Sequence, residues 1–403
     1  MAENKRQCIG DTVVMAADLG QELAAAVGEC HADRLFVLTD ETTRQLCLPI
    51  VEGYECLRGA EVITIPAGDE NKNLESVTHV WSQLQRGGAT RHSLMVNLGG
   101  GMVTDLGGFA ASTFKRGVQY INIPTTLLSM VDASVGGKTG FNFGGLKNEI
   151  GVFSNARRVI LDTVFLRTLD NENILSGYAE MLKHGLISDA ETWAGLLEYD
   201  PLGPDAYALG TVAGKALRPD ADAPGTVAKQ EQLRQMLYRS VWVKQRIVEE
   251  DPTEKGLRKA LNLGHTVGHA FEALALSGGV QTQGNDPAAD GGNGVGERRL
   301  RPVLHGYAVA YGLVCELYLS VMKTGFPVDK MRQTVNFITS HYGRMPITCD
   351  HYPALLELMT HDKKNTAGTI NFTLLGDIGD IRINQTATKE EITEALDFYR
   401  DGN

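Results

Sequence analysis

SLMVNLGGGMVTDLGGFAASTFKRG (residues 93–117) opens as an apolar run, crosses three glycines and continues as a helix-like stretch. An apolar run bounded by turn residues reads as a buried parallel strand. Gly99, Gly100 and Gly101 allow a backbone to approach a ligand closely, and a helix starting there offers it free N–H groups. The spacing is not G-x-G-x-x-G, so the dinucleotide fingerprint of ordinary Rossmann domains is absent. A tight strand-to-helix connection explains the glycines equally well.

The same alternation extends outward on both sides. RLFVLTD (34–40) and EVITIPAG (61–68) precede it, and VQYINIPTT (118–126) and RRVILDT (157–163) follow. Between them ESVTHVWSQLQRGG (75–88) sets Val77, Val80, Trp81 and Leu84 at helical spacing. Residues 1–168 are therefore expected to form an α/β nucleotide-binding domain. From about residue 170 long amphipathic helices take over, as in EQLRQMLYRSVWVKQRIVEED. They predict a mainly α-helical second domain over 169–403. Two stretches interrupt it: residues 200–230, rich in Pro, Gly, Ala and Asp, and the glycine-rich residues 277–302, which read as a loop. TINFTLLGDIGDIRIN predicts a hairpin turning at Gly376–Asp377 or Gly379–Asp380.

Composition limits the function. With 403 residues and 43% hydrophobic content, the chain suits two domains with ample core. The net charge of −11 makes it a poor partner for nucleic acid or an anionic membrane. No apolar run approaches membrane-spanning length, and the N-terminal residues contain no apolar signal-peptide core. The six cysteines are scattered without a C-x-x-C and read as reduced thiols, so a cytoplasmic location is expected.

The polar residues cluster in four places. PTTLLSMVDASVGGKTGFNFGGLKN (124–148) sets Asp132, Lys138, Lys147 and Asn148 among glycines, behind Thr125 and Thr126, as anion sites do. In SGYAEMLKHG, Glu180, Lys183 and His184 share a helical face, as a surface ion pair also would. In LNLGHTVGHA, His265 and His269 lie one helical turn apart, which fits a metal pair or two ordinary helix histidines. Arg258, Asn262, His265 and His269 follow one another at helical spacing, so a continuous helix would align them in one polar stripe. His305 precedes an Ala-rich apolar helix.

GGGMVTDLGGFAASTFKRG, IPTTLLSMVDASVGGKTGFN, LKNEIG, SGYAEMLKHG, GLRKALNLGHTVGHA, LHGYAVAYGL and DKKNTAGTINF stand in this order between about residues 60 and 380. Together they resemble the dehydroquinate synthases within the wider sugar-phosphate cyclases. The resemblance implies a carbon–oxygen lyase that turns 3-deoxy-arabino-heptulosonate 7-phosphate into 3-dehydroquinate and phosphate. Such an enzyme serves aromatic amino acid biosynthesis, uses NAD⁺ catalytically together with zinc or cobalt, and works as a homodimer.

By matching position, the resemblance implies Glu180, His265 and His305 as metal ligands. It gives His269, one turn on, a part in substrate binding and proton transfer. NAD⁺ contacts are implied for Asp40, Asp69, Lys72, Gly100, Gly101, Asp105, Thr125, Thr126, Lys147, Phe165 and Thr168. Substrate contacts are implied for Asp132, Lys138, Asn148, Lys183, Lys244, Arg258, Asn262, His269 and Lys363. Arg116 is implied to reach the phosphate of a neighbouring subunit, and Glu254 to accept a proton. Lys183, Lys244, Glu254 and His269 make up the implied catalytic set. The sequence departs from the family in three ways. His305-Gly306-Tyr307 replaces the usual HGE, Gly68-Asp69 replaces GE, and a long insertion separates the two metal histidines. Two other functions are open to such a chain: a valiolone- or inosose-type cyclase and a metal-dependent NAD alcohol dehydrogenase. Arg258 argues against the former, since a substrate without a carboxylate would leave its guanidinium unpaired. The substrate-side cations argue against the latter.

Overall fold

The computed structural model describes residues 7–144, 146–203, 224–278, 300–360 and 370–402. They form two compact units: residues 1–181 with 200–252, and residues 182–199 with 253–403. This grouping and the boundary expected at 168/169 differ over residues 169–181 and 200–252. Those residues join the first unit.

In the first unit the strands are β1 (Gln7–Ile9), β2 (Val13–Met15), β3 (Leu35–Asp40), β4 (Glu61–Ile65), β5 (Leu94–Gly99), β6 (Gln119–Pro124), β7 (Lys138–Phe143), β8 (Leu146–Phe153) and β9 (Arg158–Leu161). Its helices are α1 (Leu19–Cys30), α2 (Glu41–Leu46), α3 (Leu48–Val51), α4 (Leu74–Arg86), α5 (Gly101–Thr113) and α6 (Asn171–Leu186), which runs on across the boundary. The second unit adds α7 (Ala190–Glu198); α8 (Pro224–Glu250) returns to the first.

Seven strands form one sheet in the order β1-β2-β9-β6-β5-β3-β4, parallel except for the β1–β2 pair. All six residues of β5 are buried, as a central parallel strand requires. Its neighbours align in register from Leu35↔Leu94 on one side and Leu94↔Gln119 on the other. The helices cover apolar faces. In α4, Asn73 caps the start by accepting from the Ser76 N–H at 3.0 Å, and Val77, Val80 and Leu84 face inward. β7 and β8 form a separate antiparallel hairpin.

The second unit holds α9 (His265–Leu276), α10 (His305–Thr324), α11 (Val328–Tyr342), α12 (Tyr352–Thr360) and α13 (Lys389–Asp401), and α10 packs against β10 (Asn371–Asp377), which pairs with β11 (Asp380–Thr386) as a hairpin. That hairpin turns at Ile378–Gly379, with Gly379 at φ +77°, so Asp377 and Asp380 pair as the closing residues. No helix among the described residues is long and apolar enough to cross a membrane. Most of both interrupting stretches, 200–230 and 277–302, lies outside the described residues.

Candidate active site

The first unit contains a crevice of the kind in which open α/β sheets bind ligands. From β3 the chain moves out to β4, then returns to β5 on the other side of β3 and continues toward β6. Ligands bind at the carboxyl ends of strands at such a switch point. The carboxyl end of β3 holds Asp40, and that of β5 holds Gly99, Gly100 and Gly101. Gly100 is the N-cap residue of α5 and supplies no side-chain cap. A Cβ on Gly100 would lie 3.1 Å from Thr126 Cγ2, and one on Gly101 would lie 3.1 Å from Ala133 Cβ. The glycines therefore leave a cradle that side chains would narrow. Thr125 closes it by donating its N–H to the Gly99 carbonyl at 3.0 Å. These features fit the pyrophosphate of a dinucleotide.

Asp40 already has a structural task. Its Oδ1 accepts from the Thr43 N–H at 2.7 Å and caps α2. Phe165 is fully buried and Thr168 donates to its carbonyl at 2.7 Å, so the 165–168 turn is internally tied.

The structure brings five of the expected residues together around Lys72. Its buried Nζ donates to Asp105 Oδ2 at 2.6 Å and to Asn148 Oδ1 at 2.5 Å. Lys147 pairs with Asp69 at 3.0 Å. Asn142 stitches this group to the β7–β8 hairpin. It donates its backbone N–H to the Lys72 carbonyl at 2.7 Å and its Nδ2 to the Asp69 carbonyl at 3.0 Å. Burial pushes the Asp105 carboxyl above its ordinary range, and the Lys72 ammonium pulls the other way. Asn148 sits at φ +50° and Arg116 at φ +68°, left-handed backbone that non-glycine residues adopt only where the surroundings hold them. Lys138 and Arg116 are both exposed.

A second group forms where α6 meets the turn after β6. A Cβ on Gly177 would lie 2.5 Å from Leu127 Cβ and from the Leu128 backbone nitrogen, so α6 packs closely on residues 127–128. That contact carries Glu180, fully buried, up to Asp132, with carboxylate oxygens within 4.8 Å of each other. Lys244, delivered by α8, donates to Asp132 Oδ1 and to its backbone carbonyl, both at 2.5 Å. Lys183, further along α6, is buried as well.

In the second unit His265, His269 and His305 converge. A nitrogen of each lies within 4.8 Å of the others, and ring centroids are 5.3 to 5.8 Å apart. Three imidazoles at this spacing have the donor chemistry of a zinc or cobalt centre. His265 Nδ1 is 3.1 Å from the Leu263 carbonyl, and His305 Nδ1 is 3.5 Å from Glu272 Oε2. Both contacts involve Nδ1, the kind of outer partner that orients metal histidines.

The polar stripe expected from Arg258 to His269 is not one helix. Residues 257–262 form a 3₁₀ turn, Leu263 is extended at ψ +128°, Gly264 takes φ +79°, and α9 starts only at His265. The backbone break removes the alignment, although His265 and His269 remain one turn apart on α9. Arg258 is buried, and Asn262 Nδ2 donates to Glu254 Oε1 at 2.9 Å. Glu254 is itself held at φ +60°. Lys363 lies outside the described residues.

Sequence reasoning missed Asn142, Glu272 and Glu316. The signal for Glu272 was present: His265, His269 and Glu272 stand at i, i+4 and i+7 on one face. No local signal marks Glu316, whose partners lie far off in sequence.

The model of the 3-dehydroquinate synthase N-terminal domain matches residues 62–176, and that of the C-terminal domain matches residues 177–281 and 296–365. A 3-dehydroquinate synthase of Parabacteroides distasonis is 48% identical over 389 residues, covering 96% of this chain and 98% of the relative. One from Pyrococcus furiosus is 35% identical, covering 88% of this chain and 90% of the relative. Among solved structures, 2-epi-5-epi-valiolone synthase of Streptomyces hygroscopicus, with NAD⁺ and Zn²⁺ bound, superposes with a TM-score of 0.76 at 24% identity, covering 98% of both chains. A 2-deoxy-scyllo-inosose synthase complexed with carbaglucose-6-phosphate, NAD⁺ and Co²⁺ gives 0.73 at 19% identity, covering 99% of both. At these identities the two structures speak to the fold.

Proposed function

The chain belongs to the 3-dehydroquinate synthase family, and from that we infer that it converts 3-deoxy-arabino-heptulosonate 7-phosphate into 3-dehydroquinate and phosphate. The observation that carries this reading is that one chain combines an uncapped glycine crevice at a sheet switch point with a three-imidazole cluster. A dehydrogenation-assisted elimination needs a hydride acceptor, and a Lewis acid beside it would further polarise the substrate oxygens.

NAD⁺, when bound, supplies a reversible hydride acceptor that makes the proton beside the oxidised carbon acidic. Gly100, Gly101, Thr125 and Thr126 would hold its pyrophosphate, with Asp40, Asp69, Lys72, Asp105, Lys147, Phe165 and Thr168 around the rest. A divalent cation, zinc or cobalt, would supply Lewis-acid polarisation of substrate hydroxyl and carbonyl oxygens when bound. Glu180, His265 and His305 would hold it, leaving a position open to the substrate. The convergence of His265 and His305 supports their part in this set. His269 then stays with the substrate as a proton-transfer group.

Arg258 is suited to the substrate carboxylate, because a guanidinium fork pairs both oxygens. Lys244 and Asp132 would bind hydroxyl groups, with Lys183, Asn262 and Lys363 completing the pocket. Lys138, Asn148 and His269 would neutralise the phosphate, joined by Arg116 of a second copy. That last assignment makes the enzyme a homodimer. Glu254 would accept a proton, and the amide of Asn262 holds its carboxylate in place. Six cysteines without a disulfide fit work in the cytoplasm.

The test is phosphate release from the heptulosonate phosphate with NAD⁺ far below substrate. Many turnovers per NAD⁺ are expected. One NADH accumulating per product would sink the reading in favour of a dehydrogenase.

A further inference from the structure

We propose that Glu316 is a positioning residue for the cation centre: from α10 its carboxylate closes the start of α9 and fixes the α9 histidines relative to His305. The inference rests on the metal reading above. Glu316 is fully buried. Its Oε2 accepts from the Gly264 N–H at 2.6 Å and its Oε1 from the Val267 N–H at 3.1 Å. The second of these amides is one that an N-cap side chain ordinarily satisfies. Gly264 has no side chain to offer, and its φ of +79° with Leu313 Cγ 2.8 Å from any Cβ keeps the position glycine. The cap must come from elsewhere, and a carboxylate is a strong acceptor at the positive end of a helix.

The same contact governs the histidines. His265 is the first residue of α9 and His305 the first of α10. On α10, His305, Ala308, Gly312 and Glu316 follow at i, i+3, i+7 and i+11, a single stripe. A Cβ on Gly312 would run into the Gly264 carbonyl oxygen, and one on Gly268 would lie 2.8 Å from the Ala308 carbonyl oxygen. At Gly268 and Gly312 the two helices therefore meet backbone to backbone, which leaves little room there to absorb a shift. A slip of the first turn of α9 moves His265 against His305 directly. It also disturbs the Leu263 carbonyl that orients the His265 ring.

The experiment measures zinc affinity by chelator competition in wild type and Glu316→Gln, together with the visible spectrum of the Co²⁺-loaded proteins and amide exchange over residues 257–276. Glutamine keeps the size and one acceptor, loses the charge, and turns an NH₂ group toward a backbone N–H. Zinc binding is expected to weaken roughly 10–100-fold, the range typical of lost outer-shell support. The cobalt spectrum should shift, and the Gly264 and Val267 amides should exchange faster. A folded E316Q protein with unchanged zinc affinity and cobalt spectrum, whatever its melting temperature, overturns the proposal. Should E316Q not fold, metal-free wild type decides. Its Gly264 and Val267 amides are expected to be as protected as in the zinc-loaded protein, and protection appearing only with zinc overturns the proposal. A wild type that binds no zinc overturns the metal reading and this inference with it. Zinc bound equally by wild type and variant overturns this inference alone.

Discussion

Two helices begin at glycine, and they begin differently. α5 starts after Gly100, and no side chain caps it. α9 starts after Gly264, and a carboxylate from α10 occupies its amides. The open start keeps its N–H groups and positive end for an incoming anion. The closed start has its charge answered from within the protein. Its first residue is a histidine of the three-imidazole cluster. The same residue type thus serves close approach in one place and backbone-to-backbone packing in the other.

The sharpest way to break the comparison is at the closed start. His265→Ala should strip or greatly weaken bound zinc and abolish turnover. His269→Ala should keep metal content near wild type and slow turnover by roughly 10²–10⁴-fold, the scale of a positioned proton-transfer group. Metal analysis of the purified variants decides between Glu180–His265–His305 and the three-histidine set. Equal metal loss in both would make His269 a ligand. The open start is probed by Gly100→Val, whose side chain narrows the cradle against Thr126. Losing one charge-assisted N–H bond costs about 1.5–3 kcal/mol, so NAD⁺ affinity should fall roughly 10–100-fold in a calorimetric titration. Zinc content should not change, and a joint loss of both would erase the division of labour.

Arg258→Lys should retain fold and metal yet lose at least about tenfold in kcat/KM for the acid substrate, since lysine cannot reproduce the fork. Wild-type efficiency would detach Arg258 from the carboxylate and reopen the valiolone and inosose readings. The smallest effect should be common to both regions. Burial pushes Tyr120 in the first unit and Tyr311 in the second up to about 12. Both are raised above the ordinary tyrosine value of about 10. Their stabilising contribution is therefore complete below about pH 10 and is lost as pH rises through about 12. Melting temperature against alkaline pH should fall over that window, less steeply in Tyr120→Phe. A flat profile would show that burial does not hold these phenols protonated.

Much of the sheet was legible because its strands are buried on both faces and read as apolar runs, β5 above all. The β7–β8 hairpin was not. The described residues of β8 are almost all exposed, so its sequence alternates nothing, and it read as a polar glycine loop. The paired lysines and amides there were legible as chemistry, but their gathering around Lys72 depends on Asn142, an ordinary loop residue by sequence. In the second unit the three- and four-residue spacing of Arg258, Asn262 and the histidines suggested one helix. The spacing survived only from His265 on, because Gly264 needs a left-handed backbone that ends the preceding turn. Glu316 was invisible, since a buried carboxylate in an apolar helix acquires meaning only when its partner, 52 residues away, is placed beside it.

The order in which the chain visits its two units bears on how it can be made. All seven strands of the large sheet lie before residue 162, so a ribosome has released the sheet long before α8 exists. Yet α8 completes that unit. Arg234 donates to the Ala16 carbonyl at 2.7 Å, and Lys244 reaches Asp132 across 112 residues of sequence. The nascent sheet must wait, partly uncovered, while residues 182–199 of the other unit emerge first. Release of a chain ending near residue 181 would leave a sheet without that cover and Asp132 without its lysine. Such a fragment is a natural client for chaperones.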